Sequence, residues 1–83
     1  MKHAGQAALD EIEGLLEEIR AIAGLREPKR GTFYRGASAF LHFHEDPAGV
    51  VADIKRSGEF VRMRAGTVNE RAALIRAIRA ELR

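Results

Sequence analysis

The chain has 83 residues, enough for one domain with one small hydrophobic core. It contains no cysteine, which excludes disulfides and thiolate metal sites, and no apolar run approaches the roughly 18–20 residues of a membrane span. The formal net charge of +2 is unevenly spread: residues 1–25 hold Lys2 and Arg20 against five acids, and the excess of basic groups lies in residues 26–83.

The start, "MKHAGQAALDEIEG", has no signal-type apolar segment and turns acidic within a few residues, so a soluble cytoplasmic protein without a membrane partner is expected. Leu9, Ile12, Leu16, Ile19 and Ala23 then recur at spacings of 3 and 4, widened by Ala8, Leu15 and Ile22. That pattern predicts an amphipathic helix over about 6–24, with its glutamates on the opposite face and Gly24 as a left-handed cap. Gly14 lies mid-helix, where a glycine permits close approach of another backbone. "LREPKRG" reads as a polar linker.

From 32 to 64 the periodicity changes to 2. "TFYR", "AFLHFHE", "VVADIK" and "EFVRMR" alternate, and they are separated by Gly36-Ala37-Ser38, Asp46-Pro47-Ala48-Gly49 and Arg56-Ser57-Gly58. Links this short join only antiparallel strands. "TVNE" at Thr67–Glu70 is a capping box, and Leu74, Ile75, Ile78 and Leu82 form an apolar stripe behind it, predicting a helix over about 68–82. The expected fold is therefore a two-layer α+β domain: helix, antiparallel meander of three to four strands, helix.

A register that gathers the apolar residues on one face pairs Glu45 with Val50, Phe43 with Ala52, Leu41 with Ile54 and Arg56 with Glu59. The core face then holds Phe33, Leu41, Phe43, Val50, Ala52, Ile54, Val61 and Met63. The opposite face carries Thr32, Tyr34, Phe40, His42, His44, Val51, Asp53, Lys55, Phe60, Arg62 and Arg64. In this register His42, Asp53 and Arg62 stand side by side on three strands, and Asp53 is expected to bridge the other two.

Four chemistries compete for that face. With both helices needed on the core side, exposed aromatics and arginines suit a homodimer or protein-partner interface. Tyr34, Phe40 and Phe60 with Lys55, Arg62, Arg64 and Arg35 suit stacking and phosphate contacts on a nucleic acid, although no RNP-type, KH or zinc-finger spacing is present. His42 and His44 with Asp53 offer three metal ligands, a weak signal without a second histidine pair; His3 is read as part of a floppy start. A His42–Asp53 pair is half of an acid/base device, but no nucleophile motif accompanies it, so no catalytic residue and no cofactor are expected.

The stretch "RGTFYRGASAFLHFHEDPAGVVADIK" resembles a family of small uncharacterised bacterial proteins with an aromatic-rich F-L-H-F-H-E-D strand. "GTFYRGASAFLHFHEDPAGVVADIK" is, more distantly, similar to the central strands of YjbR/MmcQ-like proteins, over about a third of the chain. That resemblance implies an α+β fold and a possible DNA-binding role; the longer C-terminal part of that family is absent here, and no catalytic residue carries over. The combined expectation is a non-enzymatic binding or oligomerisation module using the open sheet face, through Tyr34, Phe40, His42, His44, Asp53, Phe60, Arg62 and Arg64.

Overall fold

The computed structural model describes residues 2–83. The chain forms an α+β fold in the order β1 (Lys2–His3), α1 (Gln6–Glu11), α2 (Glu13–Arg20), β2 (Arg26–Lys29), β3 (Thr32–Arg35), β4 (Ser38–Asp46), β5 (Gly49–Arg56), β6 (Glu59–Arg64) and α3 (Val68–Glu81). The sheet is antiparallel with spatial order β2-β3-β4-β5-β6, and β1 also pairs with β4. No helix is long and apolar enough to cross a membrane.

The register follows the apolar alternation. Leu41 pairs with Ile54, Phe43 with Ala52 and Glu45 with Val50, while Ile54 and Ala52 pair on their other side with Val61 and Met63. Asp46 opens the β4–β5 turn by accepting the Ala48 amide at 2.8 Å, the local bond that suits aspartate to turns. Ser57 and Gly58 both take positive φ, 51° and 84°, in the two-residue turn before β6, the backbone that matches the twist of a hairpin.

The helices cover one face. Leu9, Ile12, Leu16 and Ile19 from the N-terminal segment and Leu74 and Ile78 from α3 pack with Phe33, Leu41, Phe43, Ala52 and Ile54. Thr67 caps α3 with the expected reciprocal bonds to Glu70, at 3.1 and 3.0 Å.

Several expectations need correction. The N-terminal helix is broken at Ile12 (φ −106°, ψ 19°), whose amide reaches back three residues to Leu9 rather than four. Leu9, Ile12 and Leu16 stay buried across the break, so burial of the stripe outweighs the lost helical bond. The second segment stops at Arg20, short of Gly24, which takes its positive φ of 99° in the following loop. Gly14 meets nothing within 4 Å of where a Cβ would stand, so no backbone approaches it.

"REPK" is an edge strand, not a linker, and it pairs irregularly with β3. Val61 points to the helix side but is 42 % exposed on the edge strand β6, whereas Met63, two residues on, is partly buried against the core. Phe40, expected on the open face, is 3 % exposed and sits in the core. The pairing shifts from Phe33–Leu41 to Tyr34–Ala39, so Phe40 is the extra residue of a bulge and loses its alternation.

Part of the uneven charge is paired inside the chain. Arg30 pairs with Asp10 at 2.8 Å and Glu13 at 2.7 Å, and Arg20 with Glu13 and Glu27, each at 2.6 Å. These bonds clamp the β2–β3 hairpin to the acidic side of α1 and α2.

Candidate functional site

The face away from the helices is built on two rows. In one, His42 of β4, Asp53 of β5 and Arg62 of β6 are register partners, as the alternation predicts. In the next, His3 of β1, His44 of β4, Val51 of β5 and Arg64 of β6 follow each other.

Side chains connect the rows diagonally. Arg62 donates to both oxygens of Asp53 at 2.9 Å through Nε and one Nη, a bidentate pair. Asp53 does not meet His42 as expected; its Oδ2 lies 3.1 Å from Nε2 of His44. His42 turns its Nδ1 to the same His44 nitrogen, at 2.8 Å. One nitrogen of His44 thus faces both the His42 ring and the Asp53 carboxylate, while the other, Nδ1, is buried without a hydrogen-bond partner. His44 and Asp53 are the two buried polar residues of the chain's described part, at 8 % and 9 % exposure.

The electrostatics follow from this packing. The Arg62 guanidinium holds the Asp53 carboxyl below its ordinary value, against the opposing effect of burial. Burial, and then the neighbouring His44, push the His42 imidazole down, partly countered by Asp53. His42 is therefore further toward its neutral, lone-pair-bearing form at neutral pH than an exposed histidine.

His3 completes the cluster, and sequence reasoning missed it. The Glu45 carboxylate accepts the Gly5 amide at 2.6 Å and lies 3.9 Å from Lys2 Nζ, while the Ala4 amide reaches the Phe43 carbonyl at 3.1 Å. These contacts lay β1 along the stretch of β4 that β3 leaves free, with His3 opposite His44. The His3 ring sits 4.7 Å from that of His44 and 6.0 Å from that of His42. One ring nitrogen from each of the three lies within 4.8 Å of the others. A two-residue strand carries no readable alternation; the legible signal was only a third histidine in a chain with three.

The remaining predicted residues are more dispersed. The Phe60 ring is 46 % exposed, 5.0 Å from His42 and beneath Lys55 Nζ at 5.3 Å. Tyr34 lies further along, half-buried under the Arg26 guanidinium at 5.1 Å. Arg64 is exposed and 4.0 Å from Asp46. With Phe40 in the core, Phe60 is the one freely presented ring of the three proposed for base stacking.

No protein-family model matches the chain, and no curated protein or solved structure is significantly similar to it.

Proposed function

We propose that the protein is a non-enzymatic self-association module in which β6 of one copy pairs antiparallel with β6 of a second, continuing the sheet across a two-fold axis. The contrast between the two sheet edges carries this reading. β2 is a protected edge: it is short, contains Pro28, which has no amide hydrogen, and pairs irregularly with β3. β6 has none of these devices. It pairs regularly with β5 from Glu59 to Arg64, contains no proline, and holds two of the chain's exposed large apolar side chains, Phe60 and Val61.

Alternation selects the register. A two-fold axis normal to the sheet keeps each face on its own side, so residues opposite each other must share parity. Centring the axis on Val61 places Val61 against its equivalent and Phe60 against the equivalent of Arg62, an apolar pair beside a cation–π pair. Centring it one residue later would set Arg62 against Arg62. The first arrangement is favoured, and it brings the two open faces into one surface.

Light scattering coupled to size exclusion tests it at micromolar concentration. Wild type is expected at twice the chain mass and Val61→Lys, an exposed replacement that leaves the core intact, at the chain mass. A monomeric wild type, or a Val61→Lys variant that stays dimeric, rules the reading out.

A further inference from the structure

We infer that His3, His42 and His44 form a binding site for a zinc-class divalent metal ion on the open sheet face. This stands apart from the self-pairing of β6, since all three ligands come from β1 and β4 of one chain.

The donors are the first reason. Three imidazoles are the ligand type that borderline-soft ions such as Zn²⁺ favour. Bonds of about 2.0–2.1 Å in a tetrahedral arrangement require nitrogens roughly 3.3 Å apart. Nδ1 of His42 and Nε2 of His44 are already 2.8 Å apart, and the widest separation within the trio is 4.8 Å. Bringing a 4.8 Å separation to roughly 3.3 Å takes about 1.5 Å of movement. His3, exposed on a two-residue edge strand, is the ligand free to supply it.

The second reason is an imbalance in the hydrogen bonding. Both Nδ1 of His42 and Oδ2 of Asp53 face Nε2 of His44, which can carry one proton at most. A cation among the three rings replaces the shared proton and takes up their lone pairs.

The charges around the site fit the same ion. Asp53 places a negative charge 3.1 Å from His44 Nε2, the nitrogen that would bind the ion, and a carboxylate there favours a cation over an empty cluster. The nearest cation, Arg62, is already held by both oxygens of Asp53. The Phe60 ring flanks His42, its centroid 5.0 Å away.

Calorimetric titration of tag-free, chelator-treated protein with Zn²⁺ tests the site, with Co²⁺ absorption reporting coordination number. Wild type is expected to take one equivalent per chain with a Kd tighter than about 10 μM and to give the intense visible band of four-coordinate Co²⁺. His3→Ala is expected to weaken Zn²⁺ binding by at least ~10-fold, with an unchanged circular dichroism spectrum because His3 is exposed. His42→Gln provides a second, half-buried ligand change. Wild-type binding weaker than about 10 μM overturns the assignment. So does wild-type affinity retained in His3→Ala, or half an equivalent per chain with a metal-dependent dimer, which would place the ion between copies.

Discussion

Asp53 stands directly opposite His42 in the sheet, yet its Oδ2 lies against Nε2 of His44, one row along, at 3.1 Å. The diagonal arises because Arg62 occupies both carboxylate oxygens from the other side and His42 leans onto His44 at 2.8 Å. Asp53 is thus the hub that joins β4, β5 and β6 on the open face.

The two ends of the Asp53–Arg62 pair differ in exposure, and their loss should differ in consequence. Arg62→Ala leaves a carboxylate of 9 % exposure without its cation and without two donors. Asp53→Asn keeps an acceptor oxygen in place, and Arg62, with 47 % of its side chain exposed, can turn to water. Leaving a buried charge unpaired is the costlier event. Thermal melts at neutral pH are expected to rank Arg62→Ala below Asp53→Asn; the reverse order would show that Asp53 is not held as a charge.

Gly31 is pressed against α1 where the β2–β3 hairpin turns. Its φ is +81°, and a Cβ there would lie 2.6 Å from Leu9 Cδ2. Gly31→Ala is expected to destabilise the fold by ~1–3 kcal/mol, from left-handed backbone and from the clash together. A double-mutant cycle in urea separates them: Leu9→Ala relieves the clash, so the double variant should be more stable than the sum of the two single effects. Strict additivity would mean that the backbone alone decides.

The ion-pair clamp on the N-terminal segment predicts an acid limb in stability. Burial raises the Glu27 carboxyl, but the Arg20 guanidinium and the Gly31 amide outweigh it, and the net shift is below the ordinary 4.5. A carboxylate with a lowered folded value stabilises above its unfolded value, and that contribution is lost as pH falls through the folded one. Glu27→Gln should therefore be less stable than wild type at neutral pH, with the difference in melting temperature vanishing as pH falls below the ordinary carboxylate range. Curves that stay parallel throughout the titration would contradict the assignment of this limb to Glu27.

What the sequence made legible was whatever rests on periodicity. The β4–β5–β6 register, the row His42–Asp53–Arg62 and the capped α3 all follow from alternation, turn residues and a capping box. What it hid depends on tertiary contact. The placement of His3 needs Glu45 to hold β1, the edge strand "REPK" has no apolar face to announce it, and the turn at Ile12 shows only once the stripe meets the sheet. The diagonal Asp53–His44 contact is a choice of rotamer, beyond what strand parity can specify.

Phe40 separates the core from the interface. Alternation places it on the open face, where it would be an anchor for a second copy; the bulge at Phe33–Tyr34 turns it inward instead, to 3 % exposure among Leu41, Ile54 and their neighbours. Its loss should then act on folding and not on assembly. Phe40→Ala is expected to cost ~3–5 kcal/mol, a large part of the stability of a domain this small, and Phe40→Leu to cost clearly less because it keeps most of the apolar volume. Denaturant unfolding measures both. Light scattering on the folded Phe40→Leu variant should show the same dimerisation as wild type, because β6 is untouched. A stable Phe40→Ala protein with weakened self-association would instead return Phe40 to the surface.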